Sequence, residues 1–235
     1  MQLFYAHKIE DSKAFLDPEE TRHCTKTLRK NVNDIISFTD GCGGMYVGKI
    51  VDFNKKSCTL EIVKTLQTTD KRNFKLHLAI APTKNISRLE WFLEKTTEFG
   101  IDEVTFLLCQ RSERKNIRLD RLEKVVLSAA KQSLKSIFPK VNDLIKFKDF
   151  IPQAKATFKG IAHCNTENLP HLKNVLHQEI QEILLLIGPE GDFSSIEIKT
   201  AFKHNFLPVS LGENRLRTET AAIVACTILA ITNQD

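Results

Sequence analysis

Residues 75–100 read KLHLAIAPTKNISRLEWFLEKTTEFG, and the fold turns on this stretch. Residues 75–81 are an apolar run of strand length that ends at Pro82. Ser87 and Glu90 have the spacing of a capping box, in which each side chain satisfies a backbone N–H left open at a helix start. Behind them Leu89, Phe92, Leu93 and Thr96 share one helical face, and Gly100 can take the left-handed conformation that closes a helix. Strand followed directly by helix is the repeating unit of a parallel sheet.

The alternation continues toward the C-terminus. Residues 104–109 form the next strand, and a second amphipathic helix turns Leu122, Val125, Val126, Ala129 and Ser133 inward before Pro139. Residues 160–164 and 183–187 read as buried strands, the latter an unbroken apolar run. Residues 194–205 form a short helix with a second capping box, Ser194 with Glu197. Residues 207–211 are the last strand, and residues 219–231 a nearly all-apolar terminal helix. The pattern predicts an α/β domain with a mainly parallel sheet and helices on both faces.

Toward the N-terminus the rhythm differs. Phe38-Thr39-Asp40-Gly41 and Gly43-Gly44 separate the apolar runs 34–38 and 45–51, which predicts a hairpin whose glycines supply positive φ. A strand over 58–63 follows the turn Asn54-Lys55-Lys56. Short strands of this kind close into a small barrel. The polar run 67–73 reads as a linker, dividing the chain into residues 1–70 and 71–235.

With 42% apolar and 27% charged residues the composition is that of a globular protein, neither disordered nor fibrous. The start, MQLFYAHKIEDSK, lacks the basic and then apolar regions of a secretory signal. Residues 221–231, the most apolar stretch, are too short to cross a bilayer, so a soluble protein is expected. The six cysteines are scattered without a CxxC pair, which predicts reduced thiols and no structural metal. Charge is uneven: residues 71–160 carry 19 basic against 10 acidic groups, whereas residues 1–70 balance and residues 161–235 are acidic. A basic middle segment suits a phosphate backbone, and equally a solvated helical face.

Ligands of open α/β sheets bind at the carboxyl ends of strands. Three such places carry suitable residues. Ile187-Gly188-Pro189-Glu190-Gly191 follows a buried strand, where glycines let backbone groups approach a ligand; it is also a plain Gly-Pro turn. Leu211-Gly212-Glu213-Asn214-Arg215-Leu216-Arg217-Thr218-Glu219-Thr220-Ala221 leads into the apolar terminal helix; a surface Arg217–Glu219 pair with Thr218 as N-cap explains it as well. Lys84, Arg88, Lys95 and Glu98, with Gln110-Arg111-Ser112-Glu113-Arg114, supply arginines fit for bidentate phosphate recognition, or simply solvated charge.

Taken together and in order, these segments resemble the RsmE family of 16S ribosomal RNA (uracil-N3)-methyltransferases of the SPOUT superfamily. His23-x-x-x-Thr27-Leu28-Arg29 is similar to its H-x-x-x-V-L-R. Residues 84–100, K-x-x-x-R-L-E-W-x-L-x-K-x-T-E-x-G, are similar to its K-x-x-R-x-E-x-x-x-x-K-x-x-E-L-G, with one more residue between the first lysine and the arginine. Gln110 to Arg114, Ala130-Lys131-Gln132-Ser133, Gly188-Pro189-Glu190-Gly191 and Leu216-Arg217-x-Glu219-Thr220-Ala221 match further blocks. Where the family usually has a second glycine the chain has Asp192. It also carries Asn214 for a basic residue, Arg215 for an aliphatic one and Lys135 for an arginine.

The resemblance implies an N-terminal PUA-like, RNA-binding β-barrel and a C-terminal α/β domain with a deep trefoil knot, working as a cytoplasmic homodimer. It implies S-adenosylmethionine as methyl donor, no metal, and uracil N3 of 16S rRNA in the small ribosomal subunit as target, uridine 1498 in the family's usual numbering. No membrane or DNA partner is expected. On this reading Ile187, Gly188, Glu190, Gly191, Leu211, Gly212, Leu216, Arg217, Glu219, Thr220 and Ala221 form the cofactor pocket. Arg29, Lys84, Lys95, Arg111 and Arg114 meet RNA. Arg217 stabilises charge on a uracil carbonyl and Glu190 accepts the N3 proton, or both merely orient their loops. The alternative is a non-catalytic RNA-binding or ribosome-assembly protein on the same fold; a related enzyme acting on tRNA or on a ribose hydroxyl is a second.

Overall fold

The computed structural model describes residues 2–67, 74–164, 168–176 and 180–232; of the expected linker, only Gln67 falls among them. The chain forms two compact units: Met1–Lys71 with Leu127–Phe138, and Arg72–Val126 with Pro139–Asp235.

In the first unit β1 (Leu3–Glu10), β2 (Lys13–Leu16), β3 (Ile35–Thr39), β4 (Met45–Phe53) and β5 (Cys58–Leu66) close a barrel in the order β1-β2-β5-β4-β3. The β3–β4 hairpin forms with Thr39 opposite Met45, and Asp40 Oδ1 accepts from the amides of Cys42 and Gly44 in its loop. Parallel pairing of β1 with β3 completes the circle. Irregularities in β4 at Val47/Gly48 and Ile50/Asp52 bend the strand as a small barrel requires. A Cβ on Gly48 would stand 2.8 Å from the Phe38 ring, so glycine lets that ring fill the barrel. Phe4, Leu16, Phe38, Ile50 and Leu60 are its core. Between β2 and β3 lies a short helix, α1 (Pro18–Arg22), capped by Asp17 and continued by a wide π-type turn, His23–Thr27.

The second unit contains a sheet of β6 (Lys75–Ile80), β7 (Glu103–Leu108), β8 (Lys140–Lys146), β9 (Phe158–Ala162), β10 (Glu182–Ile187) and β11 (Leu207–Val209), in the order β11-β9-β10-β6-β7-β8. Its pairings are all parallel, which brings the carboxyl ends of the strands to one edge. Alternate residues feed separate cores. Leu76, Leu78 and Ile80 of β6 join Ile183, Leu185 and Ile187 of β10 in one; Ala79, Leu184 and Leu186 belong to the other. The first face is covered by α2 (Ile86–Phe99), the first part of α3 (Leu119–Gln132), α5 (Leu172–Val175) and α7 (Thr218–Thr232), and the second by α4 (Phe147–Phe150) and α6 (Ser195–Lys203).

Helix α2 does not start as expected. Asn85 is its N-cap, accepting from the Ser87 amide at 3.0 Å, and Glu90 pairs with Arg121 instead of turning back. Asparagine caps as well as serine does, and it comes first in the chain. The Ser194–Glu197 box forms as read, and Gly100 closes α2 at φ 92°.

Candidate functional site

Because the sheet is parallel, the loops leaving β6, β7, β9 and β10 share one edge, and hydrogen bonds lace them together. The Ala81 amide donates to Ile187 O at 3.0 Å, carrying the β6–β10 pairing past the strand ends. Next along, the Lys84 amide donates to Glu190 Oε1 at 2.9 Å. Asp192 Oδ2 accepts from the Cys164 amide at 3.0 Å, tying in the loop after β9. The loop after β7 braces the same bend from the other side. Arg111 Nη1 donates to Gly191 O at 2.8 Å, and Arg114 donates through Nε to Thr83 O at 2.9 Å and through Nη2 to Lys84 O at 2.5 Å. Glu197 Oε1 accepts from the Gln110 amide, so the capping carboxylate of α6 holds this loop too.

The bend at Gly188 meets the start of α7 directly. Thr218 is the first residue of that helix rather than its cap, and its buried Oγ1 donates to Gly188 O at 3.0 Å. A Cβ on Gly188 would stand 3.1 Å from two carbons of the buried Phe193 ring, and one on Gly191 3.3 Å from Arg111 Cβ. Gly212 is needed for a different reason: its φ is 132°, with open space around the Cβ position. Asp192, where a family glycine was expected, has φ 60°. Aspartate is among the few side chains that tolerate this region, and here its Oδ1 accepts from the next amide, Phe193 N.

Two carboxylates stand out. Glu219, 5% exposed in the first turn of α7, lies 3.6 Å from Arg88 Nε through Oε1. Its Oε2, like Glu190 Oε2, is buried without a hydrogen-bond partner among the described residues. A buried acceptor left unpaired costs about 1–3 kcal/mol, more when charged, so such atoms mark a place for a donor from outside the chain. The two residues flank the Thr218–Gly188 contact. In the loop after β9 His163 is buried, and burial pulls its imidazole below the ordinary value against the opposing pull of Asp192.

The pattern of a family of RNA methyltransferase domains matches residues 70–230, and that of its PUA domain residues 16–63. The chain belongs to the RsmE family. A relative in Buchnera aphidicola, ribosomal RNA small subunit methyltransferase E, is 28% identical over 221 residues, covering 92% of this chain and 86% of its own. Among solved structures, a probable rRNA-methyltransferase of Porphyromonas gingivalis is 38% identical, with TM-score 0.90 over 99% of this chain and 98% of that one. Ribosomal RNA small subunit methyltransferase E of Neisseria gonorrhoeae, bound to S-adenosyl methionine, is 25% identical, with TM-score 0.87 over 98% and 97%.

Within this RsmE chain the expected pocket residues fall at the laced edge in two groups. Ile187, Gly188, Glu190 and Gly191 form one bend; Leu216, Arg217, Glu219, Thr220 and Ala221 form the entry to α7, with Arg217 exposed. Leu211 packs against the core beyond β11, ahead of Gly212. The basic residues are less uniform. Arg29 is exposed in the barrel unit with φ 54°. Lys84 Nζ pairs with Glu113, and Lys95 Nζ lies between Glu94 and Glu98, its charge met within α2. The guanidinium groups of Arg111 and Arg114 reach backbone carbonyls of the edge itself. Arg88 and Thr218 were not singled out for the pocket; Arg88 lies in the matched 84–100 block and Thr218 between two matched residues, which was the available signal. A separate groove of about 700 Å3 lies in the barrel unit, lined by Gln2, Glu19, Glu20, Arg22, His23 and Lys131 among others. Its acidic and basic groups balance, so it offers no field selective for phosphate, and the chemistry is better sought at the glycine bends.

Proposed function

We propose that this chain is an S-adenosylmethionine-dependent methyltransferase of small-subunit ribosomal RNA that modifies N3 of a uracil, uridine 1498 in the family's numbering. The observation that carries the reading is the pair of buried, unpartnered oxygens on Glu190 and Glu219 beside the Thr218–Gly188 contact. Acceptors of this kind fit a ligand that brings a cation, an ammonium and ribose hydroxyls. Gly188 and Gly191 keep the bend narrow beside Phe193 and Arg111, and Ile187, Leu211, Leu216 and Ala221 offer apolar contact. When bound, the donor supplies an electrophilic methyl group on a sulfonium.

The chain's own residues do the rest. A stacked base is out of reach, so the target uridine must be splayed from the RNA into the site. Uracil N3 becomes nucleophilic once its proton leaves, and Glu190 is the carboxylate assigned to take it. Arg217, exposed at the entry to α7, meets the negative charge that then spreads onto the uracil carbonyls. Arg29, Lys84 and Arg111 contact phosphates; Lys95 contributes less because Glu94 and Glu98 already meet its charge. The reading includes a homodimer acting in the cytoplasm on the assembled subunit, and a chain threaded as a deep trefoil knot. Supporting the knot, β10 inserts between β6 and β9, both earlier in sequence, and α7 then packs back on β6 and α2.

Calorimetry on Gly188→Val and Glu219→Ala tests the cofactor site. Both should lose affinity for S-adenosylmethionine while staying folded; parental binding in both would place the site elsewhere. Mass spectrometry of nucleosides from a deletion strain tests the reaction. Loss of 3-methyluridine from small-subunit rRNA is expected, and its persistence would leave an RNA-binding protein without this activity.

A further inference from the structure

We propose that Arg114 is a positioning residue that aims the Glu190 carboxylate through one peptide group, rather than a ligand of RNA. The inference rests on the cofactor site proposed above and assigns it a support that the family resemblance did not supply.

Thr83 O and Lys84 N belong to the same peptide unit. Arg114 Nε donates to that oxygen at 2.9 Å, and that nitrogen donates to Glu190 Oε1 at 2.9 Å. Peptide groups are planar, and no cis bond is present among the described residues, so C=O and N–H point in opposite directions. A guanidinium fixed on one side therefore fixes the direction of the N–H on the other. Arg114 Nη2 adds a second bond, 2.5 Å to Lys84 O, which stops the next peptide from rotating. The charge also matters. A cation on the carbonyl polarises the peptide and strengthens its N–H as a donor toward the carboxylate.

The result is a chain of cation, peptide and carboxylate, with one oxygen of Glu190 pinned and the other, buried and unpartnered, left for a ligand. The surroundings are built to hold it. Thr83 is fully buried and its Oγ1 donates to Asn85 O, locking the turn that leads into the α2 cap. Arg114 is itself half-buried, with its planar fork turned toward the protein. A lysine could reach one carbonyl but could not grip both in this geometry.

A double-mutant cycle read in two ways tests the proposal. Binding of S-adenosylhomocysteine without RNA is measured by calorimetry for the parent, Arg114→Ala, Glu190→Gln and the double variant. Arg114→Ala should weaken binding about tenfold, the scale of one charge-assisted hydrogen bond, and should add little in the Glu190→Gln background. Additive losses would mean that Arg114 acts elsewhere; parental affinity combined with weakened RNA binding would return it to the phosphate role. Arg114→Lys should fall between parent and Ala, and it carries the same cycle if Ala does not fold. The second reading is amide hydrogen exchange at Lys84 in the ligand-free protein, which Arg114→Ala should accelerate. If the parent binds no S-adenosylhomocysteine, the cofactor reading fails while this measurement still decides the relay; unchanged exchange at Lys84 would overturn it.

Discussion

At Asp192 a single backbone angle explains a departure from the family. The residue sits at φ 60°, a region costing an ordinary L side chain roughly 1–2 kcal/mol and glycine almost nothing. Aspartate offsets that cost with bonds to the amides of Phe193 and Cys164. Asp192→Gly and Asp192→Ala both lose these bonds, but only alanine retains the strain. Urea unfolding should therefore find Asp192→Ala less stable than Asp192→Gly by about 1 kcal/mol; equal stabilities would remove the strain argument. At this scale the sequence was informative wherever the backbone dictates residue type. Gly188 and Gly191 could be picked out as glycines just past a buried strand, and a Cβ at either would crowd Phe193 or Arg111. The partners of Arg111 and Arg114 could not, because a guanidinium looks the same in sequence whether it faces phosphate or a carbonyl.

Among the elements, the long apolar strands were legible and the edges were not. Glu182–Ile187 reads as a strand because burial on both faces demands an unbroken apolar run. Lys140–Lys146 was missed because it lies at the sheet edge and has no fully buried residue to set a period. The start of α2 was misplaced by two residues because two adequate caps, Asn85 and Ser87, stand close together. Accordingly Asn85→Ala should destabilise the protein by ~1 kcal/mol and Ser87→Ala by far less, as read from thermal unfolding. The β6–β7 pair also carries a titration. His77, 20% exposed, has its imidazole pulled below the ordinary value by burial and by Lys140, against the opposing pull of Glu103. Its Nε2 lies 2.7 Å from Thr105 Oγ1. A histidine that resists protonation when folded contributes stability fully present above its unfolded value of about 6.5 and lost as pH falls below it. His163 adds in the same direction. Stability should fall between about pH 7 and pH 5, and His77→Gln should flatten that slope; an unchanged slope would assign it to other groups.

For the molecule as a whole, the order of a small barrel followed by an α/β sheet was legible from the change in periodicity near residue 75. The membership of Leu127–Phe138 in the barrel unit was not, because the helical pattern of α3 runs through the boundary without a break. That segment accepts at Ser136 O from Gly43 N and donates from Phe138 N to Gly41 O, and it supplies Lys131 to the Glu20 carboxylate. Glu20 is 3% exposed and its other oxygen accepts from the Tyr5 amide. Removing one member of a buried ion pair strands the other. Lys131→Ala should therefore cost about 3 kcal/mol in urea unfolding, with part recovered when Glu20→Gln is added. A cost below ~1 kcal/mol would mean that water reaches the carboxylate freely.

The interrupted barrel also sets an order of events during synthesis. Its five strands leave the ribosome early, but the segment that completes the unit follows roughly sixty residues later. At about 5–20 residues per second, the nascent barrel must wait roughly 3–12 seconds with the Glu20 carboxylate uncompensated. Over that interval the N-terminal portion is committed in topology but not yet in stability, and it matures only as the second unit is already emerging behind it.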